Sequence, residues 1–126
     1  MFVTLVAVLY LGLGVVILFL PQSVSAPVAG IATASLSAQL YGTAVLGLGG
    51  ANWIARRGPL GGIYGRAVVT GNFVHAGTAT LVLLRPTIAS GSPKLWIALG
   101  VALLLAIGFG WLLFVSSGIP DARRSI

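Results

Sequence analysis

The chain has 126 residues, 58% of them hydrophobic and only 6% charged, which is too little polar surface for a water-soluble domain of this size and points to a membrane protein. Its formal charge of +6 comes from seven Lys and Arg against the single acid Asp121. Those cations sit at the ends of apolar segments, so there is no soluble basic face for nucleic acid. The absence of cysteine excludes disulfides, thiolate catalysis, zinc-thiolate sites and iron–sulfur ligation.

In chain order, Phe2 to Leu20 is apolar apart from Thr4 and Tyr10, and Pro21 ends it because proline cannot continue the helical hydrogen bonding. This predicts a first membrane span over residues 2–20. A signal peptide is the rival reading, with Val24-Ser25-Ala26 as the cleavage site. The length of the run, the lack of a preceding cation and Pro27 oppose it. After a short uncharged connection, the long apolar stretch from Val28 to Ala55 predicts a second span over 35–55. It closes with Asn52-Trp53 at headgroup depth and then Arg56-Arg57 in water. Gly58-Pro59-Leu60-Gly61-Gly62 is turn chemistry.

The third predicted span, 66–85, is framed by Arg66 and Arg85. The eighteen uncharged residues between them cover about 27 Å as a helix, close to the thickness of the hydrocarbon core. It also carries Thr70, Asn72, His75, Thr78 and Thr80, an unusual polar load. Residues 86–94 read as a second turn, and 95–115 as the fourth span, bordered by Trp96 and Trp111. The expected fold is therefore all-α: a polytopic membrane protein, one domain over 1–126, with four transmembrane helices in an antiparallel bundle. With four crossings, Arg56, Arg57, Arg66, Arg123 and Arg124 share one side, against Arg85 and Lys94 on the other. The excess of cations makes that side cytoplasmic, with both termini there. These five arginines are topology determinants, with attraction to anionic lipid headgroups as their further role.

Helices in lipid associate through close contact between small residues. Two rows spaced by four stand out, Gly30, Ala34, Ala38 and Gly42 in the second span and Ala98, Ala102, Ala106 and Gly110 in the fourth. They serve helix packing, either within the chain or against another protein or a second copy.

The residues able to carry chemistry are few. Asn72 and His75, three apart, share a face. Packing of neighbouring spans would bring Gln39 and Thr43 toward Thr78 and His75. The bland reading is a set of interhelical hydrogen bonds. The sharper one makes His75 an axial ligand for haem iron or the magnesium of a chlorophyll-type ring, with Gly71 and Ala79 leaving room for the flat macrocycle. No acid exists to orient His75 as a general base or to serve as an intramembrane proton relay, so an enzyme is not expected.

This layout is one of short spans with small loops, a proline after the first, Tyr41-Gly42, Asn52-Trp53, Arg56-Arg57, Gly71-Asn72 and His75. It resembles small four-span bacterial membrane proteins of the DoxX-like kind. The likeness extends over most of the chain as a plan, implies a bacterial inner-membrane location and carries over no site residue. The expected function is a non-enzymatic accessory or structural subunit of a larger membrane complex of respiratory or photosynthetic type, or a self-associating protein. The alternative is a binder or carrier of a hydrophobic small molecule, lipid or tetrapyrrole pigment through His75, Asn72 and Gln39.

Overall fold

A computed structural model of the chain describes residues 1–21, 32–58 and 62–115. The described residues form four α-helices, α1 (Phe2–Phe19), α2 (Ala32–Ala55), α3 (Ile63–Ser90) and α4 (Pro93–Phe114). They belong to two compact units, Met1–Arg57 and Gly58–Ile126. Each unit is built on one helical hairpin, α1 with α2 and α3 with α4.

Helix α1 stops where Pro21 approaches, its last turn closed by the Leu20 N–H donating to the Val16 carbonyl at 2.8 Å. Helices α1, α3 and α4 are each long and apolar enough to cross a lipid bilayer. The expectation of a span over residues 35–55 is corrected. At 24 residues α2 is long enough but is not among the helices apolar enough to cross. The reason lies in its composition: Ser37, Gln39, Thr43 and Asn52, with four glycines between Gly42 and Gly50, dilute its leucines and valines.

A second correction concerns residues 86–90, expected in a turn. Helix α3 continues through Arg85 and Pro86 to Ser90, although Pro86 has no N–H for the Val82 carbonyl and its ring crowds that turn, a penalty that membrane helices tolerate through local adjustment. The actual stop is Gly91, whose left-handed φ of 62° suits a residue without Cβ and whose N–H donates to the Thr87 carbonyl. Pro93 then opens α4 behind Ser92, where its missing N–H costs nothing.

The seam of the first hairpin is set by steps of three and four. Val3, Ala7, Tyr10, Gly14 and Ile17 are buried on α1, and Gly42, Val45, Gly49 and Asn52 on α2. This is the alternation that keeps one stripe facing an antiparallel neighbour. Three glycines bring the backbones together. A Cβ on Gly14 would lie 2.8 Å from the Leu46 nitrogen, one on Gly49 2.8 Å from the Leu11 nitrogen, and one on Gly42 3.0 Å from the Leu18 nitrogen. These pairs run in opposite sequence directions and so fix the antiparallel register.

In the second hairpin the stripe is Gly65, Val69, Asn72, Ala76 and Thr87 on α3 against Leu99, Ala102 and Phe109 on α4. Here side chains, more than glycines, fill the seam. The Phe73 ring lies over Gly110, 3.1 Å from where a Cβ would stand. It also meets Phe114 edge to face, with ring centroids 5.8 Å apart. At the other end the Thr87 hydroxyl is 3.5 Å from the Leu95 carbonyl.

The glycine contact makes a testable distinction. Replacing Gly14 or Gly49 with alanine forces the α1 and α2 backbones apart and is expected to cost roughly 1–3 kcal/mol. By contrast, Gly12→Ala meets nothing within 4 Å and should be neutral or gain up to about 1 kcal/mol in helix propensity. Reversible unfolding in mixed micelles, followed by helical circular dichroism, reads both signs. The same sign at all three positions contradicts the packing.

Candidate functional site

The small-residue rows meet the seams only in part. Gly30 lies outside the described residues, as does the side chain of Ala34, while Ala38 is half-buried and Gly42 is buried in the glycine contact. In α4, Ala102 is buried, Ala106 and Gly110 are half-buried, and Ala98 is exposed. A row spaced by four advances about 40° beyond each full turn of helix and winds off the contact line, whereas alternating threes and fours stay on it. That alternation is the signal that leads from Gly42 to Val45, Gly49 and Asn52, and it identifies Gly14 on α1, none of which the four-spaced rows contain.

The polar residues of α3 are held mainly by their own helix. Asn72 is fully buried, and its Nδ2 donates to the Val68 carbonyl at 2.8 Å. The Thr78 hydroxyl donates to the Val74 carbonyl at 2.8 Å, with the His75 carbonyl at 3.1 Å, and that of Thr80 donates to the Ala76 carbonyl at 2.8 Å. On α2 the Thr43 hydroxyl does the same with the Leu40 carbonyl at 2.7 Å. Serine and threonine commonly satisfy their donors this way inside helices, so these protons are committed locally.

His75 is half-buried on α3 at the flank of the seam. One turn before it Gly71 is exposed, and a Cβ there would meet nothing within 4 Å; one turn after it Ala79 is half-buried. Asn72 and His75 are thus on one helix, with Asn72 turned into the seam and His75 at its edge. Gln39 is half-buried on α2, in the first unit. Among the described residues no three His, Cys, Asp or Glu side chains group as metal ligands.

Asn52 was read from the sequence only as a marker of the end of a span. In the structure it is fully buried on the first hairpin's seam, so each hairpin holds one buried asparagine. An amide on such a stripe favours one register over its neighbours. Beyond it, Arg56 folds back on Trp53. One guanidinium nitrogen donates to the Trp53 carbonyl, and the guanidinium carbon stands 3.5 Å from the centroid of the indole ring. Arg57 and Arg66 are exposed, and Arg123 and Arg124 fall outside the described residues.

Comparison with protein-family models, curated proteins and solved structures found no match. The comparisons give a DoxX-like assignment no support, and the reading of function rests on the two hairpins and their exposed faces.

Proposed function

We propose that this chain is a non-enzymatic accessory or structural subunit of the bacterial inner membrane, packing against a larger membrane complex of respiratory or photosynthetic type or against a second copy. The observation that carries this reading is the mismatch between the length of α2 and its composition. A helix with this many glycines and polar side chains is poorly served by lipid on all sides. Helix α1 covers the stripe of Gly42, Val45, Gly49 and Asn52. The side bearing Leu40, Thr43, Ala44 and Gly47 is exposed, and a Cβ on Gly47 would meet nothing within 4 Å. Protein, more than acyl chains, suits such a face. With crossings by α1, α3 and α4 alone, Arg56, Arg57 and Arg66 still share one side against Arg85 and Lys94 on the other, and the larger cation count makes that side cytoplasmic.

The expected outcome of gentle detergent extraction is a defined particle larger than the lone chain. Gly47→Leu should break it up while leaving the hairpin's helicity and unfolding midpoint intact, because residue 47 lies off the seam. A stable monomer with no companion, or a particle indifferent to Gly47→Leu, rejects the proposal.

A second reading, a tetrapyrrole or other hydrophobic ligand at His75, is favoured by the open space at Gly71 beside a half-buried imidazole. There His75 would supply the axial nitrogen, with Asn72 beside it on α3. The visible spectrum of the purified protein is the direct check. A band lost in His75→Ala supports a pigment, and a colourless preparation, or a band unchanged by the substitution, removes it.

A further inference from the structure

The end of α2 carries charge that neither the seam nor the outward face around Gly47 uses. Arg56 is half-buried and held in one orientation by its stack on Trp53 and its hydrogen bond to the Trp53 carbonyl. Arg57 beside it is exposed. Residues 1–57 contain no Asp or Glu, since the chain's single acid is Asp121. Two adjacent cations, one partly withdrawn from solvent, therefore have no carboxylate in their own unit to balance them. The complementary group is an anion. Next to these cations, on the apolar side, Ile54 is 82% exposed and Trp53 42% exposed, so the same place offers a surface for hydrocarbon.

We propose that Trp53, Ile54, Arg56 and Arg57 form a binding site for an anionic phospholipid, its phosphate on the two guanidinium groups and its acyl chain along Ile54 and the indole. Arginine presents several N–H donors in one plane, and the stack fixes that plane, leaving the donors not used by the Trp53 carbonyl to face a phosphate. Lysine at position 56 keeps the charge but has neither the flat face that stacks nor the fork that grips two oxygens. The adjoining alkyl surface is what commits the site to a lipid over free phosphate. This inference does not rest on the docking of α2 against another protein, and it is read on the isolated chain.

The experiment uses the full chain purified in a neutral detergent doped with equal amounts of phosphatidylglycerol and phosphatidylcholine bearing the same acyl chains. Native mass spectrometry then counts the lipids retained. Micelles remove membrane orientation from the measurement, so any effect of these arginines on topology does not enter. We expect retention of phosphatidylglycerol to exceed that of phosphatidylcholine by roughly thirtyfold, the scale of two cations near an anionic headgroup. Arg56→Gln with Arg57→Gln should bring the two to parity, and both Arg56→Lys and Trp53→Leu should remove most of the preference. Arg66→Gln should keep it, and millimolar inorganic phosphate should not displace the lipid. Circular dichroism establishes that each variant compared is folded, and the single changes Arg56→Lys and Trp53→Leu preserve the test if the double variant is not. Parity in the unaltered chain overturns the proposal. So does full preference in both single variants, an equal loss in Arg66→Gln, or displacement by inorganic phosphate.

Discussion

Backbone-to-backbone contact between α1 and α2 is the constraint on which the first half of the molecule depends. Helices that approach this closely gain dispersion attraction over many close atoms. Gly14, Gly42 and Gly49 supply it by leaving out the atoms that would hold the helices apart. Gly14 and Gly42 meet directly, with the Gly14 carbonyl oxygen 3.2 Å from where a Gly42 Cβ would stand. The same glycines lower the apolar character of α2, and the loss is tolerable on the side that α1 shelters. Glycine thus joins this hairpin and at the same time lowers the apolar character of α2.

The second hairpin solves the problem with volume. Phe73 occupies the space that Gly110 leaves, Phe114 packs edge-on against it, and Phe109 is fully buried. Among its polar groups, Asn72, Thr78 and Thr80 each donate to a carbonyl of their own helix. Such bonds satisfy donors that would be expensive in hydrocarbon.

Much of this was legible in the sequence. The apolar runs and their terminating prolines and arginines locate the helices to within a few residues, since membrane crossing is a demand on length and composition. The end of α3 was not, because Pro86 reads locally as a breaker, and only the left-handed Gly91 capping on Thr87 shows where the helix stops. The status of α2 was misjudged for a related reason: a count of charges finds none, while glycine, serine and amides lower hydropathy without adding charge. The seams were half visible. Rows spaced by four reached Gly42, Ala102 and Gly110 but wound away from Gly14, Gly49 and Asn52, which follow the alternation of three and four. The fold of Arg56 onto Trp53 needed side-chain positions, because the order Trp53, Ile54, Ala55, Arg56 allows the stack without requiring it.

The most direct measurement of the glycine contact uses the absence of cysteine from the natural chain. A Cβ at position 14 would stand 2.9 Å from the Leu46 Cβ, within an ångström or so of the roughly 3.8 Å that a disulfide prefers. Gly14→Cys with Leu46→Cys should therefore oxidise in membranes to a cross-link within one chain, while Gly12→Cys with Leu46→Cys, whose first site faces open space, should stay reduced. A cross-link at 12 and 46 as readily as at 14 and 46 would contradict the contact on which the account of this protein depends.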